Sequence, residues 1–283
     1  MMRTWSVSGR GLVGEALGTF LLVLFGCGSV AVTVLFEAHH GLLQIALTWG
    51  LGVTLAIYLT RHLSCAHLNP AVSLAMAVSG RMSPRKLPGY ILAQFVGAVL
   101  AGLVLYALFA PSIAAYEQAH QIVRGAPESV RTARMFGEYY AIPGSAAVVS
   151  LPLAMAAEGF GTFLLVLMIF ALTEGCNVGR PDDALAPVFI GLTVTSIICL
   201  IAPLTQAGLN PARDLGPRLV AWMMGWGDAA FPDRVGGFFY VYILAPAVGA
   251  AAAAGFFVRV FEPALRGRPR AGACCAGPSD RRD

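Results

Sequence analysis

Leu68-Asn69-Pro70-Ala71 and Leu209-Asn210-Pro211-Ala212 are the same four residues written twice, 141 positions apart. They head two apolar segments, 68–79 and 209–224. Crossing a bilayer as a helix takes about 20 residues, so both segments are too short. A second repeat runs in step with the first. Gly18-Thr19-Phe20-Leu21-Leu22-Val23-Leu24 recurs letter for letter as Gly161-Thr162-Phe163-Leu164-Leu165-Val166-Leu167, an offset of 143. Glu15 stands three residues before the first copy and Glu158 three before the second. Two markers at nearly one offset divide the chain into two halves of common build.

Around these markers the chain of 283 residues is 57% hydrophobic and 12% charged. A soluble domain carries about a quarter charged residues, so an ordinary globular enzyme is a poor match. Uncharged runs cover 16–36, 41–60, 87–116, 139–157, 159–173, 184–212 and 235–258. They predict spans at about 12–34, 42–60, 87–109, 153–172, 185–203 and 236–258, with Glu158 inside the fourth. Each half then holds three spans. An odd number makes the second half enter the membrane from the opposite side, so the repeat is inverted. The fold expected is an all-α membrane protein of six transmembrane helices plus two re-entrant half-helices. Its parts are a cytoplasmic N-terminus (1–10), a first repeat (11–110, with half-helix 68–79) and an outer connecting loop (111–152). A second repeat (153–258, with half-helix 209–224) and an Arg-rich cytoplasmic tail (259–283) follow. With both termini inside, cytoplasmic segments hold thirteen of the 19 Lys and Arg residues and outer segments six, as the positive-inside rule asks.

Asn is a strong N-cap, and Pro belongs at the first helical position. Asn69-Pro70-Ala71 and Asn210-Pro211-Ala212 therefore each start a short helix, and Gly80 stops the first. The backbone before each Asn is nonhelical, and such backbone at membrane depth must be buried or line a wet cavity. Two helix N-termini, each with roughly half a positive charge, thus face one midplane gap from opposite sides. Each Asn directs amide N–H donors into the gap while its carbonyl caps the helix. That arrangement accepts a small neutral molecule with a lone pair and repels cations and protons. Arg213, in the first turn of the second half-helix, is read as a donor fork in the pore; the bland alternative is snorkelling or a local ion pair. Asp214 suits the helix dipole and pairs with Arg218 one turn on; it is read either as a structural first-turn acid or as a support for selectivity. Glu15 and Glu158, symmetrically placed, accept backbone N–H groups from the loops before the half-helices; otherwise they are interfacial acids of a first helical turn. His67 is read as a loop residue offering its backbone oxygen to the lumen and so supporting selectivity; a gating imidazole is the alternative.

Other chemistry finds no support. The small net charge of +4 includes no basic face for nucleic acid. His39, His40, His62, His67 and His120 make no metal pair at helical spacing. The six cysteines show no metal or disulfide framework: Cys27 and Cys199 read as packing residues, Cys274 and Cys275 as free thiols of the tail. The first apolar stretch is too long for a cleavable leader. No nucleophile–base set or embedded acid pair is found, so no catalytic residue and no cofactor are expected. Gly14 with Gly18, Ala93 with Gly97 and Ala101, and Ala245 with Gly249 and Ala253 mark close helix packing.

Over about 11–258 these residues resemble the aquaporin or major intrinsic protein family. Trp49-Gly50-Leu51-Gly52-Val53, Ala66-His67-Leu68-Asn69-Pro70-Ala71-Val72 and Asn210-Pro211-Ala212-Arg213-Asp214 are most similar to its bacterial glycerol facilitators. The resemblance implies a pore in every subunit of a homotetramer in the cell inner membrane. It also implies a central constriction at Asn69 and Asn210 and an outer one of Trp49, Ile198, Ala207 and Arg213. A glycerol facilitator usually has Gly and an aromatic residue where this chain has Ile198 and Ala207. Tyr242-Ile243 replaces a usual Pro and aliphatic pair, which makes Tyr242 a candidate selectivity support. The expected function is a passive channel for glycerol and similar polyols, with some water. The alternatives are metalloid acids, urea or mainly water through the same fold, then an ion-coupled secondary transporter, and last a structural adhesion protein.

Overall fold

The computed structural model describes residues 7–140, 147–231 and 236–266. Among the described residues the regular structure is helical, without strands. Six helices among the described residues are long and apolar enough to cross a membrane. They are α1 (Val7–Phe36), α2 (Leu42–Ser64), α4 (Leu87–Ala119), α5 (Leu151–Thr173), α6 (Ala186–Thr205) and α8 (Gly237–Arg266). Two short helices lie between them, α3 (Pro70–Val78) and α7 (Pro211–Ala221). At 1.5 Å per residue these reach only about 14 and 17 Å. The polypeptide is a multi-pass membrane protein.

The long helices carry leucine stripes on their outer sides. Leu43, Leu47, Leu51, Leu55 and Leu59 repeat every fourth residue along α2, and Leu92, Val96, Leu100, Val104 and Leu108 do so along α4; all are exposed. In water such stripes would drive aggregation; against acyl chains they are the natural surface. Cys199 is also exposed rather than packed inside, whereas Cys27 is buried. Inside, helices approach through small residues. A Cβ at Gly97 would come within 2.1 Å of the Ala16 carbonyl oxygen, and one at Gly249 within 2.0 Å of the Gly159 carbonyl oxygen. Those two contacts join α1 to α4 and α5 to α8.

Each half-helix lies against the last long helix of the other repeat: α3 packs on α8, and α7 on α4. Ala71, Val72 and Ala75 of α3 bury against Ala250, Ala253 and Ala254. Gly80, at φ 75°, ends the first half-helix, its N–H donating to the Ala77 carbonyl at 3.1 Å. The second does not continue as regular helix to residue 224. A wide helical turn over Trp222–Trp226 follows Ala221, and Met224 and Gly225 leave helical backbone.

α4 runs on to Ala119, beyond the expected span, and the connection after it holds a further helical turn, Val130–Ala133. On the opposite face, Arg61 Nη1 donates to the Asp183 carbonyl at 2.7 Å, and Arg81 pairs with Glu174 at 2.6 Å. The tail is helical to Arg266. Arg268, Arg270, Arg281, Arg282, Cys274 and Cys275 lie outside the described residues.

Candidate functional site: a shared cavity between two strained loops

The chain enters each half-helix through a loop that no regular structure supports. In the first, Cys65, Ala66 and Leu68 have φ of 66°, 52° and 54°; in the second, Gln206, Ala207 and Leu209 have 62°, 62° and 57°. Left-handed backbone at a non-glycine residue costs about 1–3 kcal/mol and persists only when its surroundings hold it. Three such residues at matching positions in both loops require strong support.

Glu15 and Glu158 supply it. Glu15 accepts from the backbone N–H groups of His67 at 2.9 Å and Leu68 at 2.7 Å. Glu158 accepts from those of Gly208 at 2.8 Å and Leu209 at 2.7 Å. Both are fully buried, well inside their helices rather than in a first turn. Each carboxylate also accepts from a side chain, Gln94 Nε2 at 2.7 Å for Glu15 and the Thr205 hydroxyl at 2.6 Å for Glu158. Two tyrosines complete the frame from behind. Tyr90 donates its hydroxyl to the Ser64 carbonyl at 3.1 Å, and Tyr242 donates to the Thr205 carbonyl at 2.9 Å. Tyr242 therefore braces the second loop and does not line the lumen. Its equivalent, Tyr90, has no conspicuous neighbour in the sequence, and only alignment of the third helices of the two repeats would have found it.

The two Asn-Pro-Ala motifs meet. Asn69 Oδ1 caps α3 by accepting from Ala71 N at 2.8 Å; Asn210 Oδ1 caps α7 from Ala212 N at 3.0 Å and Arg213 N at 3.2 Å. Each amide nitrogen then crosses to the other loop: Asn69 Nδ2 donates to the Leu209 carbonyl at 2.9 Å, and Asn210 Nδ2 to the Leu68 carbonyl at 2.8 Å. An amide has two N–H groups. One of each is spent on this crossing, so one per Asn remains for a solute, not two. Pro70 and Pro211 occupy the first helical positions, and Ala71 and Ala212 pack behind them.

One cavity of about 520 Å³ joins these parts. Asn69, Asn210, Trp49, Ile198, Ala207, Arg213 and His67 all line it. It continues to Arg61, Thr173 and Asp183 at the opposite end, past an aliphatic wall that includes Leu22, Val53 and Val194. Trp49 fits because residue 26 is glycine: a Cβ there would sit 2.1 Å from the indole ring. His67 is held sideways, its ring 5.3 Å from the Tyr90 ring and its Nδ1 3.2 Å from the Ser73 hydroxyl.

Arg213 is buried, and its guanidinium lies 4.1 Å from the centre of the Trp49 ring. The guanidinium thus lies over the indole face, and Ile198 lines the same cavity. Nη2 of Arg213 forms an ion pair with Glu138, a residue of the connection between α4 and α5. Glu138 escapes sequence reasoning because that connection has neither repeat nor periodicity. Asp214 is also absent from the lumen. It accepts from the Glu138 backbone N–H at 2.8 Å and from Arg218 at 2.7 Å, so it anchors that connection.

The family model described as major intrinsic protein matches residues 1–257. The glycerol uptake facilitator protein of Pseudomonas aeruginosa is 43% identical over 244 residues, 86% of this chain and 85% of that protein. The propanediol uptake facilitator PduF of Citrobacter freundii is 42% identical over 246 residues, 87% of this chain and 89% of that protein. Among solved structures, the aquaglyceroporin from Plasmodium falciparum superposes with a TM-score of 0.79 at 27% identity, covering 92% of this chain and 99% of that one.

Proposed function

The chain belongs to the major intrinsic protein family, and from that premise we propose that it is a passive channel through which glycerol and related small neutral solutes diffuse, with some water. One observation carries the reading. Two amide donors, held by crossed hydrogen bonds at facing helix N-termini, border a cavity that continues from Trp49 and Arg213 to Arg61 and Asp183. A dehydrated polyol finds N–H donors at Arg213, Asn69 and Asn210 and a hydrocarbon wall at Ile198, Leu22 and Val194. A cation meets two positive dipole ends and a guanidinium. Trp49, Ile198, Ala207 and Arg213 form the outer constriction and the Asn pair the central one; Glu15, Glu158 and Tyr242 act by holding the loops. The protein works as a homotetramer in the inner membrane with both termini cytoplasmic.

Stopped-flow light scattering on proteoliposomes tests this. Vesicles are challenged with glycerol, urea, arsenous acid or an impermeant osmolyte, with and without a proton gradient. Glycerol entry far above that of empty vesicles, and indifferent to the gradient, is expected. Gradient-driven accumulation would mark a coupled transporter instead. Trp49→Ala combined with Arg213→Val is expected to change the solute ranking, and an unchanged ranking removes the proposed outer constriction.

A further inference from the structure

Beyond the end of α4 stand two arginines for which the chain supplies no acid. Arg124, close by, is satisfied: it pairs with Glu117 at 2.8 Å, and its guanidinium lies 4.3 Å from the centre of the Trp226 ring. Arg131 and Arg134 form no ion pair among the described residues. Glu117 is spent on Arg124 and on the Thr132 hydroxyl, and Glu138 on Arg213. Glu128, exposed and three positions before Arg131, pairs with neither arginine.

Both are nonetheless held in place. They stand three residues apart along the turn Val130–Ala133 and its end, hence on one face, while Val130, Thr132 and Ala133 are buried. Arg131 Nη2 donates to the Tyr116 hydroxyl at 3.1 Å, its guanidinium 5.7 Å from the centre of that ring. His120 stacks on the same ring at 4.0 Å between centres, its Nδ1 donating to the Tyr116 carbonyl at 2.9 Å. The phenol that accepts from Arg131 keeps its own proton to give. Nε of Arg134 is buried without a hydrogen-bond partner. Burial holds the Arg134 guanidinium below its usual range; Tyr116 and Glu138 oppose this, and the Arg131 charge adds to it.

We propose that Arg131, Arg134 and the Tyr116 hydroxyl bind a phosphate group, carried by a phospholipid headgroup or free in solution. A guanidinium is a planar fork that matches phosphate oxygens two at a time, and an anion between two such forks relieves their mutual repulsion. The depth suits a headgroup. The other end of α4 begins at Leu87, directly after Arg85 and Lys86. From Leu87 to Tyr116 the helix rises about 44 Å, and a bilayer with its headgroups measures about 40–45 Å. With Arg85 and Lys86 in one headgroup layer, Tyr116 reaches the opposite one. None of the three residues borders the cavity, so the proposal does not depend on what the cavity passes.

The test uses the full chain in detergent as wild type, as Arg131→Gln with Arg134→Gln, and as Arg131→Lys with Arg134→Lys. Native mass spectrometry titrates dioleoylphosphatidylglycerol, and thermal unfolding titrates inorganic phosphate at fixed ionic strength. The glutamine variant is expected to bind about tenfold more weakly, the equilibrium factor for losing one charge-assisted hydrogen bond. Loss for the lipid alone makes a headgroup the occupant, and loss for inorganic phosphate makes it the free anion. The lysine variant keeps both charges without the forks, and its binding should fall nearly as far. Wild-type affinity of the glutamine variant for both probes overturns the proposal, as does a wild type that binds neither. Wild-type affinity of the lysine variant overturns it too, because unspecific attraction would then suffice. Unfolding midpoints without ligand show that each variant is folded. Should the glutamine variant fail to insert, the lysine variant decides alone.

Discussion

The two loops that lead into the half-helices share a skeleton and differ in what they carry. Both have three left-handed non-glycine residues, a buried carboxylate receiving two backbone N–H groups, and a tyrosine behind. After Asn-Pro-Ala, however, the first continues with Val72 and Ser73, the second with Arg213 and Asp214. Ser73 accepts from Gln94 Nε2 at 2.9 Å, and the same nitrogen donates to Glu15. Asp214 joins a group of four charges that also fixes the connection between α4 and α5. A second contrast follows from His67 and Gly208. A Cβ at Gly208 would lie 2.7 Å from Tyr242, so the glycine admits the tyrosine, whereas the His67 ring stands against Tyr90. The skeleton is therefore built twice over, and the buried ion pairs are written onto one copy alone.

The comparison is broken most severely at the carboxylates. Glu15→Ala and Glu158→Ala each leave two buried backbone donors without a partner. At about 1–3 kcal/mol per donor, each variant should lose about 2–6 kcal/mol. Thermal unfolding in detergent should show losses of similar size, and a large loss in only one variant would mean that the loops are not equivalent supports.

Arg213→Val gives the second motif the residue of the first and sharpens the comparison at the filter. It strands Glu138, which is 4% exposed, as a buried unpaired acid, a loss of about 3–5 kcal/mol. Glu138→Ala added to Arg213→Val should recover most of that stability without restoring glycerol selectivity; a double variant as unstable as the single would deny the coupling. The smallest effect belongs to the tyrosines. Tyr90→Phe and Tyr242→Phe each delete one hydroxyl donor, worth about 0.5–1.5 kcal/mol. Nearly equal shifts are expected, and fluxes should fall less than for any variant above.

The frame was legible in the sequence because its signals are local or repeated. Asn-Pro-Ala announces a cap and a helix start within three residues, and the seven-letter repeat points to Glu15 and Glu158 at once. Trp49, Ile198 and Ala207 were reachable only through family resemblance, since nothing in α2, in α6 or in the loop after it marks a cavity-facing position. Glu138 was out of reach. Its partner lies 75 positions away (213 − 138), and its loop has no periodicity to place it. The crossing bonds of Asn69 and Asn210 were missed for another reason. Sequence shows that each amide has donors, but not that the opposite loop's carbonyl comes near enough to take one.

Because α3 beds on α8 and α7 on α4, neither repeat can finish itself. During synthesis the first half-helix meets α1 and α4 early, through Glu15 and Gln94, but its bed on α8 forms only once the final span has left the ribosome. The wall of the conduit is therefore complete only when the last span has inserted.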